Sequence, residues 1–203
     1  MRTRSKLAVF AAVAAAFLAG AAVAAPAQSP ALRYTADGKL EFPKDYRTWI
    51  YLSTGMDMSY AEAGMNMGDT HIFDSVFVNR EAYDGFMKTG HWPDKTVMVL
   101  EVRRGQSKGS INKKGQFQTD RLGVEVHVRD VARFQSGWAF FPFQGDAPAK
   151  ALPQTSDCNV CHEKHGAVDT TFVQFYPTLM PKAQEMKTLA AAYLAEEEAA
   201  TKK

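Results

Sequence analysis

Leu122-Gly123-Val124-Glu125-Val126-His127-Val128-Arg129 is the stretch whose reading decides the fold. Its apolar residues recur at every second position. Leu122, Val124, Val126 and Val128 point one way, and Gly123, Glu125, His127 and Arg129 point the other. A period of two with three valines is a β-strand signal, not a helical one. The plain reading gives the second face to solvent. The alternative starts from Gly123, because a glycine inside a strand removes a side chain where another body approaches closely. Glu125 would then sit beside whatever lies against Gly123.

Working outward, the same logic predicts four more strands. Residues 96–103 form an apolar run that suggests burial on both faces. Residues 138–143 form a strand closed by Pro142 and Gly145, and residues 71–79 are rich in β-branched and aromatic types. Residues 46–54 read as the first strand, carried by Trp49, Ile50, Tyr51 and Leu52 and ended by Gly55. Between the second and third, residues 80–89 read as a short helix with Tyr83 and Phe86 on its apolar face and Gly90 after its end. Residues 25–45, 56–69, 105–115 and 147–157 carry the glycines and prolines of loops. Residues 186–200 read as an alanine-rich helical tail, frayed within 183–203. The class is α+β: a mainly antiparallel sheet with flanking helices.

The chemistry sits near the C-terminus, in Cys158-Asn159-Val160-Cys161-His162. Two thiols three positions apart on a helical turn lie on one side and can both reach one flat macrocycle. A histidine directly after the second can place an imidazole under an iron. This is the attachment pattern of c-type haem, with Cys158 and Cys161 binding the ring and His162 the metal. These are the only two cysteines of the chain. A redox-active pair would want a βαβ context. A zinc site would need a fourth ligand, for which His165 is in reach. A disulfide is the third alternative.

Residues 1–24 read as a signal peptide, with Arg2, Arg4 and Lys6 before an apolar stretch and Ala22-Val23-Ala24 as a cleavage box. Export suits covalent haem attachment, so the expected address is the periplasm, with no membrane span after cleavage. Removing those three cations from the net charge of +2 leaves −1. Such a balance gives no basic patch for nucleic acid. The paired methionines Met56, Met58, Met65 and Met67 are loop and core filler, or soft ligands for copper(I) or the haem iron. His71, His91, His127 and His165 read as surface or supporting histidines, and Trp49, Trp92 and Trp138 as core.

Several blocks together carry a wider likeness. They are residues 42–49 (Phe-Pro-Lys-Asp-Tyr-Arg-Thr-Trp), Phe77-Val78-Asn79 with Tyr83, Lys88-Thr89-Gly90, Gly123-Val124-Glu125, Gly137-Trp138-Ala139-Phe140, and Cys158 to His162 followed by residues 172–179. By these the chain resembles the cytochrome P-460 family, which includes the cytochrome c′-beta proteins. The resemblance implies a haem domain over residues 46–182, one covalent haem c, a homodimer, and a five-coordinate iron whose open side faces the sheet. Enzymes of this family oxidise hydroxylamine and bind the haem rim through a lysine after a Thr-Val-x-Val segment. Here that segment is Thr96-Val97-Met98-Val99, and Leu100 stands in the lysine's place, so the cross-link is expected to be missing. Glu125 matches the family's distal carboxylate, a proton acceptor. Asp74 falls where the enzymes tend to have an arginine. The expected functions are redox chemistry on a small nitrogen species with another cytochrome as redox partner, the binding of nitric oxide or carbon monoxide, or simple electron transfer.

Overall fold

The structure is a computed structural model that describes residues 32–60 and 70–202. Residues 1–24, read above as a signal peptide, and Met65 and Met67 lie outside the described residues. Five strands form one antiparallel sheet in sequence order: β1 (Ile50–Met56), β2 (Ile72–Val78), β3 (Val97–Gln106), β4 (Phe117–Arg129) and β5 (Trp138–Phe143). Helix α1 (Arg80–Thr89) connects β2 to β3, and three helices follow the sheet: α2 (Asp157–His165), α3 (Met180–Met186) and α4 (Ala191–Thr201). This is the α+β architecture expected from the strand periodicity. No described helix is long and apolar enough to cross a membrane.

The alternation in β4 does what a period of two requires. Val124, Val126 and Val128 are buried on one face with Val97, Val99, Phe77, Phe141 and Phe143, under a lid formed by Leu40, Phe42 and Tyr46. The opposite face carries Val78, Met98 and Trp138, covered by Phe86 and Trp92 after β2 and by Val168, Val173, Tyr176 and Leu179 after α2. β3 is therefore buried on both sides where Val97, Met98 and Val99 lie, as its unbroken apolar run predicts.

Some boundaries differ from the sequence reading, and each difference has a cause. Residues 46–48 are a one-turn 3-10 helix rather than the start of a strand. Glu101, fully buried on β3, draws this turn onto the sheet: it accepts hydrogen bonds from the Tyr46 hydroxyl, from Arg47 Nη1 at 2.8 Å and from Arg103 Nε at 2.7 Å. Burial alone would raise this carboxyl; Arg103, Tyr46 and Arg47 together bring it below its usual range. β4 begins at Phe117, five residues earlier than its valine pattern, because the hairpin with β3 continues through Gln106↔Phe117. The single tail helix is two helices. Lys187 adopts a left-handed backbone (φ 58°) and ends α3, and α4 is docked rather than frayed at its start: Ala190 N–H donates to the Ala167 carbonyl and Tyr193 is buried.

Phe86 is fully buried and lies against Trp92 with ring centroids 4.5 Å apart. Phe86→Ala is expected to cost about 3–5 kcal/mol, the usual range for removing a core aromatic ring. A urea unfolding midpoint within error of wild type would contradict this packing.

Candidate functional site

Antiparallel register fixes which side chains share the helix-covered face of the sheet. Asp74 pairs with Val102, and Val102 with Gly123. In the next row Val76 pairs with Leu100, Leu100 with Glu125, and Glu125 with Pro142. In the row beyond, Val78 pairs with Met98, Met98 with His127, and His127 with Phe140. Leu100 thus stands directly beside Glu125, and Gly123 lies two positions along the same strand. A Cβ built on Gly123 meets nothing within 4 Å, so open space lies above this part of the sheet.

α2 brings the second half of the site to this face by packing against β5 and α4. It buries none of its own side chains completely, and Cys158 and Cys161 are half-buried free thiols. Asn159 Nδ2 holds the start of the helix by donating to the Pro153 carbonyl at 2.9 Å and to Ser156 Oγ at 3.0 Å. Burial pushes the Cys158 thiol up, and the Glu125 carboxylate adds to the rise. A thiol that serves in disulfide exchange is lowered instead, so the redox-pair alternative loses support. His165, the spare ligand of a zinc alternative, pairs through Nδ1 with Glu196 on α4 at 2.6 Å.

His162 is held on all sides. Its Nδ1–H donates to the Thr170 carbonyl at 2.8 Å. That bond assigns the proton to Nδ1 and leaves the Nε2 lone pair for another partner. Phe172 stacks on its ring at 4.0 Å between centroids, Phe140 stands edge-on at 4.6 Å and His127 at 5.2 Å. Burial pushes His162 down to about 4, so it is a neutral imidazole near pH 7. His127, expected at the surface or in support, is buried: it stacks on Phe140 at 3.8 Å and its Nε2 has no hydrogen-bond partner among the described residues. Burial lowers it well below its ordinary value.

The acidic side of the site joins three elements. Burial raises the Glu125 carboxyl above its ordinary range, although the side chain keeps exposed surface, as a group crowded at the floor of an open face does. Asp74 is raised as well, by burial first, then by the charges of Glu125 and Asp57. The two carboxyls are thus near enough on this face for their charges to repel. Tyr60, which the sequence reading passed over, lies 5.7 Å from Phe172 and 6.4 Å from Phe175 between ring centroids. Burial, Asp74 and Cys161 raise its hydroxyl. His71 is at the surface, bonded to Asp57 Oδ2 at 2.5 Å. Met56, expected in a loop, is the exposed last residue of β1, and Met58 is half-buried. A cavity of about 660 Å³ in the β3–β4 hairpin loop, lined by residues 109–113, Gln116 and Phe117, brings Lys113 as its only ionisable group and takes no part in this site.

The residues expected to act together are therefore together: Cys158, Cys161 and His162 on α2, and Glu125 and Asp74 on the facing sheet. The donor set fits a haem. Two thiols three positions apart lie on the helix that packs against β5, open space lies over Gly123 on the sheet, and an imidazole is fixed through Nδ1 with no hydrogen-bond partner on Nε2 among the described residues. Thr170, Phe172 and Phe140 were harder to find in the sequence, because their roles depend on contacts with His162 that no local pattern encodes. No curated protein matches this chain. A sequence model of the cytochrome P-460 family matches residues 43–173, from the lid segment through α2 to the turn holding Val173. That match spans well over half of the chain, and with it the chain belongs to the cytochrome P-460 family, whose members are haem cytochromes.

Proposed function

We propose that this chain is a periplasmic, mono-haem c-type cytochrome that carries out redox chemistry on a small nitrogen species, hydroxylamine or nitric oxide. Bound haem would supply a one-electron iron couple with a coordination position open to a small ligand. Cys158 and Cys161 would hold the ring as thioethers, and His162 would hold the iron through Nε2, in the tautomer that Thr170 selects. Glu125 would accept protons from a bound amine, with Asp74 near it on the same face of the sheet. Electrons leave to another cytochrome, and the protein works as a homodimer. The observation that supports the reading most is the neutral His162 with Nδ1 tied to Thr170 and Nε2 free, one residue after Cys161.

Leu100 favours a second reading, a haem protein that takes up nitric oxide or carbon monoxide without turnover. It places an apolar group beside Glu125 where the hydroxylamine-oxidising relatives have a lysine. The two readings share one spectroscopic expectation. Reduced haem-loaded protein should show an ordinary high-spin c-type Soret band. A strongly red-shifted band, with a lysine peptide bound to the haem in a tryptic digest, would mean that an amine reaches the ring despite Leu100. A sharp low-spin α band would mean a sixth protein ligand and would defeat both readings in favour of an electron carrier.

A further inference from the structure

The turn after α2 is built more tightly than holding a chain reversal requires. Val168 and Thr171 bridge each other, with Thr171 N–H donating to the Val168 carbonyl at 2.8 Å. The two residues between them, Asp169 (φ 46°) and Thr170 (φ 59°), both lie in the left-handed region. Neither is glycine, and only aspartate of the two adopts that region readily. Gly166 lets the turn close onto the end of α2: a Cβ there would come within 2.8 Å of Thr170 backbone atoms and 2.6 Å of the His162 carbonyl. The result is one carbonyl, that of Thr170, aimed at His162 Nδ1.

What holds the turn in this form comes from the far end of α1. The Asp169 carboxylate accepts the Trp92 backbone N–H at 2.8 Å and the His91 Nδ1–H at 3.0 Å. Next to it, Trp92 Nε1–H donates to Thr171 Oγ1 at 2.8 Å, and that hydroxyl donates to the Val168 carbonyl at 2.7 Å. Trp92 itself is packed against Phe86 and is almost fully buried. The turn is thus clamped on both sides by the His91-Trp92 pair, which lies far from the cysteines in sequence.

We infer that Asp169 is a positioning residue for the iron's imidazole: anchored by Trp92 and His91, it fixes the Thr170 carbonyl against His162 Nδ1 and so sets the donor strength of Nε2. This rests on the reading of His162 as the haem ligand. A hydrogen bond from the far nitrogen to a carbonyl pushes electron density toward the metal-binding nitrogen and favours the ferric state. Loosening the turn weakens that bond and favours the ferrous state.

The test uses the full-length, haem-loaded protein and two readouts: the midpoint potential, and the iron–imidazole stretching band of the ferrous form. Asp169→Ala removes both anchors and should raise the potential by the equivalent of about tenfold, the lower end of what losing a supporting partner costs, or ~59 mV for one electron. The stretching band should move to lower frequency, while haem loading and far-ultraviolet circular dichroism stay as in wild type. Asp169→Asn keeps an acceptor for the Trp92 N–H and tolerates the left-handed backbone, so both readouts should stay near wild type. If Asp169→Ala does not fold, Asp169→Gly keeps the backbone conformation accessible, lacks the carboxylate, and carries the same expectation. A band that vanishes in His162→Ala but is unmoved, with an unmoved potential, in Asp169→Ala and Asp169→Gly would overturn this inference alone. A band absent from wild type, or one that survives His162→Ala, would overturn the reading of His162 and this inference with it.

Discussion

Cys158→Ala combined with Cys161→Ala is expected to leave the chain at the mass of the polypeptide alone after expression in a host that matures c-type haem. Wild type should carry the added mass of one haem that survives denaturation. The reason is chemical: the chain has no other cysteine, and a thioether to the ring needs a thiol. Each single variant should keep one thioether and a less stable holo-protein. The half-buried positions of both thiols, on one side of α2, favour attack on one ring. Burial and Glu125 hold the Cys158 thiol high, so Cys158 should label slowly with alkylating reagents in the haem-free chain at neutral pH. Intact-mass spectrometry decides the matter. A denaturation-resistant haem on the double variant, or wild type without one, would remove the basis for c-type attachment.

The second large effect belongs to Glu125. If the protein oxidises hydroxylamine, Glu125→Ala should lower turnover by about a hundredfold or more, the usual worth of a placed general base, with haem loading unchanged. A carboxyl works as a base only when ionised, and burial raises this one. Wild-type turnover should therefore fall as pH drops through a value above the ordinary glutamate range, and Glu125→Gln should lose that limb. Asp74→Asn should leave the limb in place, because the limb belongs to the Glu125 carboxyl, which that substitution keeps. The sign also carries to stability. A carboxyl raised in the fold is bound more weakly by its proton in the unfolded chain, so stability falls as pH rises past the unfolded value. Glu125→Gln should accordingly be the more stable protein near pH 7, measured as a higher urea midpoint. If the protein is a gas binder, the same substitutions should alter nitric oxide uptake and release instead. Unchanged turnover together with unchanged ligand binding in Glu125→Ala would mean that the carboxylate merely faces solvent.

Much of this protein was decided locally and could be read locally. The alternation of Val124, Val126 and Val128 determined a strand with one buried face, because side chains on a pleated strand can point only two ways. The unbroken run at Val97, Met98 and Val99 determined a strand covered on both sides. The Cys158–His162 spacing put two thiols on one side of a helix, since that depends only on the helical repeat. The glycine at position 90 marked the end of α1, where its left-handed backbone (φ 73°) is observed. Other features depended on partners distant in sequence. Residues 46–48 read as strand by continuity with Trp49, Ile50, Tyr51 and Leu52, yet buried Glu101 on β3 draws Tyr46 and Arg47 into a 3-10 turn; a buried carboxylate must be neutralised, and that need outweighs the neighbouring propensity. Lys187 divides the tail because the chain must reverse there to lay α4 on Ala167. His127 looked like a surface residue on a polar strand face and is buried because Phe140, Trp138 and His162 close over it. Which proton His162 carries was decided by Thr170, and the aim of Thr170 by Asp169, His91 and Trp92. A hydrogen bond that spans some eighty positions of sequence has no local signature, so the sequence by itself named His162 as the candidate ligand and only the tertiary structure set its orientation.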